Sequence, residues 1–270
     1  MLLYLATWAL VVALHTGALV GGSRIEVLVP AQIAELRRQL SFPGIFGAVL
    51  GQVNSTGGIC AIILAAGFLG SDYSWGTLRA LLTRAPDRGA YLLAKLITLL
   101  IGLLAAILLA LLLGALFAMA CSPALGLSSG IRPRDLLALP VGILRSLYVI
   151  LPYIMITLAS AALGRSVLAG VGGGLIFLAL DVSAGSLNTI SAVSPLVRLL
   201  VNLLLQPNIN TLVVLNSQLF GLDQSVLVSS LDLSLLPSPL QATLVIAAYC
   251  GVFFWSAYRL LLRRDVAGTI

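Results

Sequence analysis

Residues 92–120 contain one charged side chain, Lys95, and almost nothing else that favours water. A run like this has few folded solutions. About 20 consecutive apolar residues, once helical, match the hydrocarbon thickness of a bilayer. In lipid every backbone polar group must find its partner within the protein, which leaves helices and closed barrels. Barrel strands alternate apolar and polar residues, and this run does not. It reads as a transmembrane helix, and comparable runs occur at about 1–22, 44–70, 141–163, 166–185 and 242–262. Composition agrees: 60% of the chain is hydrophobic and 9% is charged, against roughly a quarter charged in a soluble domain. The expected fold is an all-α integral membrane protein, a single transmembrane domain over 1–270 with six transmembrane helices.

The net charge of +6 fits Lys and Arg gathered at cytoplasmic helix ends. No basic tail or interleaved aromatic patch points to nucleic acid. Arg79, Arg84, Arg88 and Lys95 flank the connection after the second run, Arg165 marks the short turn "LGRSV", and Arg259, Arg263 and Arg264 close the chain. Placing these inside puts both termini in the cytoplasm of a multi-pass cell-membrane (inner or plasma membrane) protein. Arg24, Arg37, Arg38, Arg132, Arg134 and Arg198 then fall on the opposite face, with Arg145 near an outer helix end. With no basic n-region before it, the first run reads as a span and not as a cleaved signal peptide. Cys60, Cys121 and Cys250 are far apart and suggest neither a disulfide framework nor a metal site.

Catalytic chemistry finds little support. The single histidine, His15, has no second histidine to form a ligand pair, and no HExxH or GxSxG occurs. A P-loop needs GxxxxGK[ST], since its lysine reaches the terminal phosphates. The single lysine, Lys95 in "LAKLIT", has neither the glycines nor the following hydroxyl. Any ATP and Mg would have to be bound by another chain. The patch "GQVNSTGG" brings Gln52, Asn54, Ser55 and Thr56 into the second run. These residues either line a path for a polar solute or hydrogen-bond between helices. Asp181, at the end of the fifth run, reads as an interface anchor. Glycines four apart (Gly47 and Gly51, Gly170 and Gly174) offer close-approach surfaces.

Two segments break the pattern. The external segment 186–241 holds "SPLVRLLVNLLLQPN", an apolar run between Pro195 and Pro207 too short to cross. It reads as a re-entrant or interfacial helix followed by an irregular stretch. Between the second and third runs lies the segment 71–91, within "SDYSWGTLRALLTRAPDRGAYLLAKL". Asp72 reads as an N-cap, and Trp75, Leu78, Leu81 and Leu82 share one helical face. Pro86 then stops the helix. The result is a short amphipathic helix on the cytoplasmic surface.

This segment resembles the cytoplasmic loop of type-2 ABC exporter permeases, on Asp72, Gly76, Thr77, Leu78, Arg79, Leu81, Leu82, Arg84, Pro86, Arg88 and Lys95 in order. "LASAALGRSVLAGVGGGL" and "LLLRRDVAG" resemble the family's fourth-to-fifth span turn and its basic ending, so the likeness runs along essentially the whole chain. The family more often has Glu where Asp72 stands, and it usually opens with an amphipathic helix before the first span. The resemblance implies the permease subunit of an ATP-driven exporter. Such a subunit builds the pathway as a dimer with a second copy or paralogue, and no cofactor is bound directly. A separate ABC ATP-binding subunit carries ATP and Mg and docks on a coupling helix that includes Asp72, Tyr73, Trp75, Gly76, Thr77, Leu78, Arg79, Arg84 and Arg88. The second and fifth spans would lie near the dimer interface. The alternative is a secondary transporter or channel that needs no ATPase.

The topology has a direct check. In single-cysteine variants, thiol labelling is expected to reach Thr83→Cys and Asp265→Cys only from the cytoplasm and Asn210→Cys only from outside. Labelling of Thr83→Cys in sealed cells by an impermeant reagent would reverse the assignment.

Overall fold

The computed structural model describes residues 1–16, 30–77, 88–127, 130–185, 187, 194–227 and 233–263. Among them all regular structure is helical: α1 (Leu2–Thr16), α2 (Pro30–Gln39), α3 (Gly44–Ser74), α4 (Arg88–Ala124), α5 (Pro133–Gly164), α6 (Val167–Gly185), α7 (Pro195–Val201), α8 (Leu205–Leu219), α9 (Gln224–Leu227) and α10 (Pro239–Arg263), with a 3-10 turn at Leu233–Leu235. By length and composition, α3, α4, α5, α6 and α10 can each cross a membrane. α7 and α8 form a further apolar pair, bent by 80° at a short break. The apolar part of α1, Leu2–Ala13, is shorter, and residues 17–22 of the expected first span lie outside the described residues.

The helices overrun the apolar runs that announce them. α3 has 31 residues, about 46 Å at the helical rise, well beyond a hydrocarbon core of about 30 Å. The patch from Gly51 to Gly58 does not interrupt it. The Ser55 hydroxyl donates to the carbonyls of Gly51 (3.5 Å) and Gln52 (3.3 Å), and that of Thr56 donates to Gln52 Oε1 at 3.1 Å. Polar side chains satisfied one turn back leave the backbone ladder intact.

Two helices correct the sequence reading. α2 is not announced by any apolar run. Pro30 sits at its first position, where no amide hydrogen is needed, and Ile33, Leu36 and the following Leu40 are buried. The stretch after Pro207 is not irregular, because α8 runs through it. Pro207 is the third residue of that helix, where its missing N–H costs no intrahelical bond. Likewise Pro195 opens α7, behind Ser194 as N-cap, whose hydroxyl accepts from the Leu196 amide at 3.3 Å.

Contacts divide the chain into two compact units: Met1–Thr56 with Ala105–Ser146 and Leu212–Ser234, and Gly57–Leu104 with Leu147–Thr211 and Leu235–Ile270. The first is organised around Leu36, Ile45, Leu50 and Phe220, all fully buried, with the rings of Phe42, Phe46 and Phe220 in sequence at 5.5 and 6.0 Å. Glu35, also buried, accepts the Asp223 amide at 2.7 Å and pairs with Arg38 at 3.2 Å. The Asn216 amide donates to Gly142 O and Ser146 Oγ, each at 3.1 Å, joining α8 to α5. A Cβ on Gly47 would lie 2.8 Å from Leu222, so this glycine is occupied within the chain.

In the second unit α6 lies tightly on α3 and α5. A Cβ on Gly170 would come within 2.8 Å of Ala66 and 2.9 Å of Ala161, and one on Gly174 would overlap Thr157 and Ile62. The spacing-four glycines of α6 therefore pack within the protomer and are not free to form the expected dimer interface. Gly172, on the same helix, has nothing within 4 Å of its virtual Cβ. Forcing extra volume into a packed interface typically costs about 1–3 kcal/mol. Gly174→Ala is expected to lower the melting temperature of the detergent-solubilised protein, and Gly172→Ala to leave it level or raise it. Equal melting of the two variants would contradict this packing.

Candidate functional site

The coupling segment begins where α3 ends. The sequence reading makes Asp72 the N-cap of a new helix, but the structure places it in the last turn of α3. Asp72 is buried; it accepts the Tyr91 hydroxyl and forms a 2.7 Å ion pair with Lys95. Both partners lie on α4, and the Lys95 ammonium also donates to the Phe68 carbonyl of α3 at 2.8 Å. Carboxylate, ammonium, phenol and carbonyl together lock one end of α3 to one end of α4. An acid that is already bonded tertiarily has no reason to cap a second helix.

Beyond the lock, Trp75 N bonds Ser71 O at 2.8 Å and Gly76 N bonds Tyr73 O at 3.3 Å. Gly76 has φ +68°, the left-handed conformation that ends helices and favours glycine. Thr77 is helical again, while 78–87, with Leu78, Arg79 and Arg84, lie outside the described residues. Tyr73 is half-buried, and Trp75 is 78% exposed. The tryptophan is thus not packed on the body of the protein, as its place on the apolar face suggested. Arg88 opens α4 and ties it to another helix, since its guanidinium donates to the carbonyls of Leu261 (2.5 Å) and Leu262 (3.0 Å), near the C-terminus of α10. A cation near this end of a helix meets the negative end of its dipole.

The four candidate pathway residues separate. Ser55 and Thr56 are exposed and bonded within their own helix. Asn54 is half-buried. Gln52 lines a small cavity of about 130 Å3 with Tyr4, Gln39, Gly51, Ser217 and Gln224 among its walls. The cavity is polar and large enough for a few waters. His15 lies on α1, and its side chain is not among those described.

A network that the sequence reading missed lies around Asp181. Read as an interface anchor, it is instead buried. It accepts the Tyr153 hydroxyl at 2.6 Å and the backbone amide of Gln206 at 3.0 Å. That amide belongs to the first turn of α8, where N–H groups have no helical partner and the dipole favours negative charge. The break before it, at 202–204, is covered too. Asn208 Nδ2 donates to Asn202 O (2.8 Å) and Leu204 O (2.6 Å), and the Tyr249 hydroxyl donates to Leu203 O (3.3 Å). An aspartate at the end of an apolar run was the visible signal, but its partner lies 25 residues on.

Long apolar helices, charges buried in bonded sets and a helix break closed by side chains mark a multi-pass helical membrane protein. The chain matches no protein-family model, no curated protein and no solved structure.

The lock between α3 and α4 can be weighed by a double-mutant cycle. Lys95→Met alone leaves the buried Asp72 carboxylate without its ion-pair partner, the costly half of breaking such a pair. Adding Asp72→Leu is expected to recover part of the loss, with a coupling of about 1–3 kcal/mol in denaturant unfolding. Strict additivity of the two substitutions would mean that the pair holds nothing.

Proposed function

We propose that this chain is the membrane subunit of an ATP-driven ABC exporter, coupled to a separate ATP-binding subunit through the segment around 72–88. The observation that supports it most is the Asp72–Lys95–Tyr91 lock, which ties α3 to α4 just before the chain turns at Gly76. A connection leaving two locked spans cannot move without moving both, and that is the property of a lever. Trp75 and Thr77 are exposed at its start and available to a groove on a soluble partner, as in helix-in-groove recognition. The ordered likeness from Asp72 to Lys95 supports the same assignment, and with it a second copy or paralogue completing the pathway. Both termini lie in the cytoplasm in this reading.

One observation favours a second reading, a secondary transporter or channel. The 80° break between α7 and α8 is the kind of discontinuous helix from which such proteins build binding sites. The two readings part on energy source. Reconstituted alone, a secondary transporter moves solute down an ion gradient, whereas an ABC subunit needs its ATPase and ATP.

The decisive variants are Arg79→Glu and Gly76→Pro. Proline cannot adopt the positive φ of Gly76. A lost aromatic or Arg anchor at an interface costs about 2 kcal/mol or more, roughly a thirtyfold drop in affinity. Both variants are expected to insert normally in the membrane, to copurify less ATP-binding subunit and to lose ATP-dependent transport. Full transport with normal copurification in both would sink the proposal.

A further inference from the structure

The first unit carries a basic pocket that neither the transport reading nor the sequence motifs use. It has a volume of about 650 Å3 and is lined by Arg38, Arg132 and Arg134 together with Phe42, Gln218 and Phe220. That volume lies within the range of small-molecule sites, roughly 300–1,000 Å3. Arg38 comes from the end of α2, while Arg132 and Arg134 flank the start of α5. The fold therefore brings Arg38 to the same concavity as Arg132 and Arg134.

Negative charge near the pocket is largely committed. Asp135 is buried and accepts the backbone amide of Arg132 at 3.0 Å, the acid half of a capping box. Its other oxygen is 3.6 Å from Arg134 Nε, while the Arg134 side chain stays 77% exposed. Glu35 holds the Asp223 amide and touches Arg38, whose side chain is 64% exposed. Among the described residues no ion pair reaches the Arg132 guanidinium. The lining thus holds three arginines against one acidic residue, Asp135. The start of α5 adds the positive end of a helix dipole.

Guanidinium forks match the oxygens of a phosphate two at a time, and a cluster of them is built for that group better than for a chloride or a single carboxylate. The other wall is apolar: Ile131 and Leu219 are exposed in it, Pro43 is half-buried, and the buried Phe42 and Phe220 back it. We infer that this pocket binds the phosphate group of an anionic amphiphile, with the arginines on the phosphate and the exposed Ile131 and Leu219 against the chain next to it. Basic pockets on helical membrane proteins take phospholipid headgroups in this way. The site stands whether or not an ATPase is attached to the protein.

The test uses the full chain in a neutral maltoside detergent at low ionic strength. Its melting temperature is followed against dihexanoyl phosphatidic acid, dihexanoyl phosphatidylcholine and inorganic phosphate. The phosphatidic acid should raise the melting temperature saturably. Phosphatidylcholine should do so at least about tenfold more weakly, since its choline offsets the charge that the arginines read. Inorganic phosphate should also be weaker. If phosphate alone matches the lipid, with the same dependence on the arginines, the phosphate site stands and its occupant is a free phosphate. The Arg132→Gln, Arg134→Gln double variant keeps the cap, because Asp135 accepts from the backbone of residue 132. It should lose at least about tenfold in affinity, as expected when charge-assisted bonds are removed. Arg259→Gln, in the other unit, should change nothing. No saturable shift with either phosphate compound, an equal shift with phosphatidylcholine, or an unchanged shift in the double variant would each overturn the inference.

Discussion

A carbonyl or amide without a partner in an apolar medium costs on the order of several kcal/mol, and a helix break exposes more such groups than any other local feature. In this chain the demand is concentrated at residues 202–204. Their carbonyls are taken up by Asn208 from α8 and by Tyr249 from α10. Downstream, the free amide of Gln206 falls to Asp181 from α6, itself held by Tyr153 from α5. Four helices are thereby fixed around one interruption. Remove the break and none of these polar side chains has a reason to be buried there.

Basic residues show the same economy. Read as a charge bias, Arg88, Lys95 and Arg145 only orient helices relative to the membrane. In the structure each also donates to backbone carbonyls of another helix: Arg88 to Leu261 and Leu262, Lys95 to Phe68, Arg145 to Leu215 at 3.4 Å. A long cationic side chain near a helix end can lie along apolar surface and still bring its charge to a backbone carbonyl of a neighbouring helix. A cationic residue that bonds a neighbouring helix in this way is costly to replace even by lysine for arginine, since the reach and the fork differ.

The class of fold was legible because the length and apolarity of α3, α4, α5, α6 and α10 are written locally in the sequence. What sequence reasoning missed has a common cause: those features are defined by partners far along the chain. α2 carries Glu35, Arg37 and Arg38 and looks like a polar linker until Asp223 gives the glutamate its place. Pro207 looks like a terminator until it is seen in a first turn. Asp72 has the form of an N-cap, and only Tyr91 and Lys95 reveal it as one side of a tertiary lock. The spacing of Gly170 and Gly174 predicted close approach correctly, but spacing cannot say against what, and Ala66, Ala161, Ile62 and Thr157 belong to the same protomer. The arginines of the basic pocket were visible as charges and invisible as a cluster.

The bonds from Arg88 to the end of α10 span 173 and 174 residues of sequence. During synthesis at about 5–20 residues per second, roughly 10–35 s separate the emergence of the donor from that of its acceptors. Through that interval the bonds that Arg88 makes in the folded chain cannot form. α10 then arrives as a closing piece, and the start of α4 reaches its final set of bonds only when nearly the whole chain has been made.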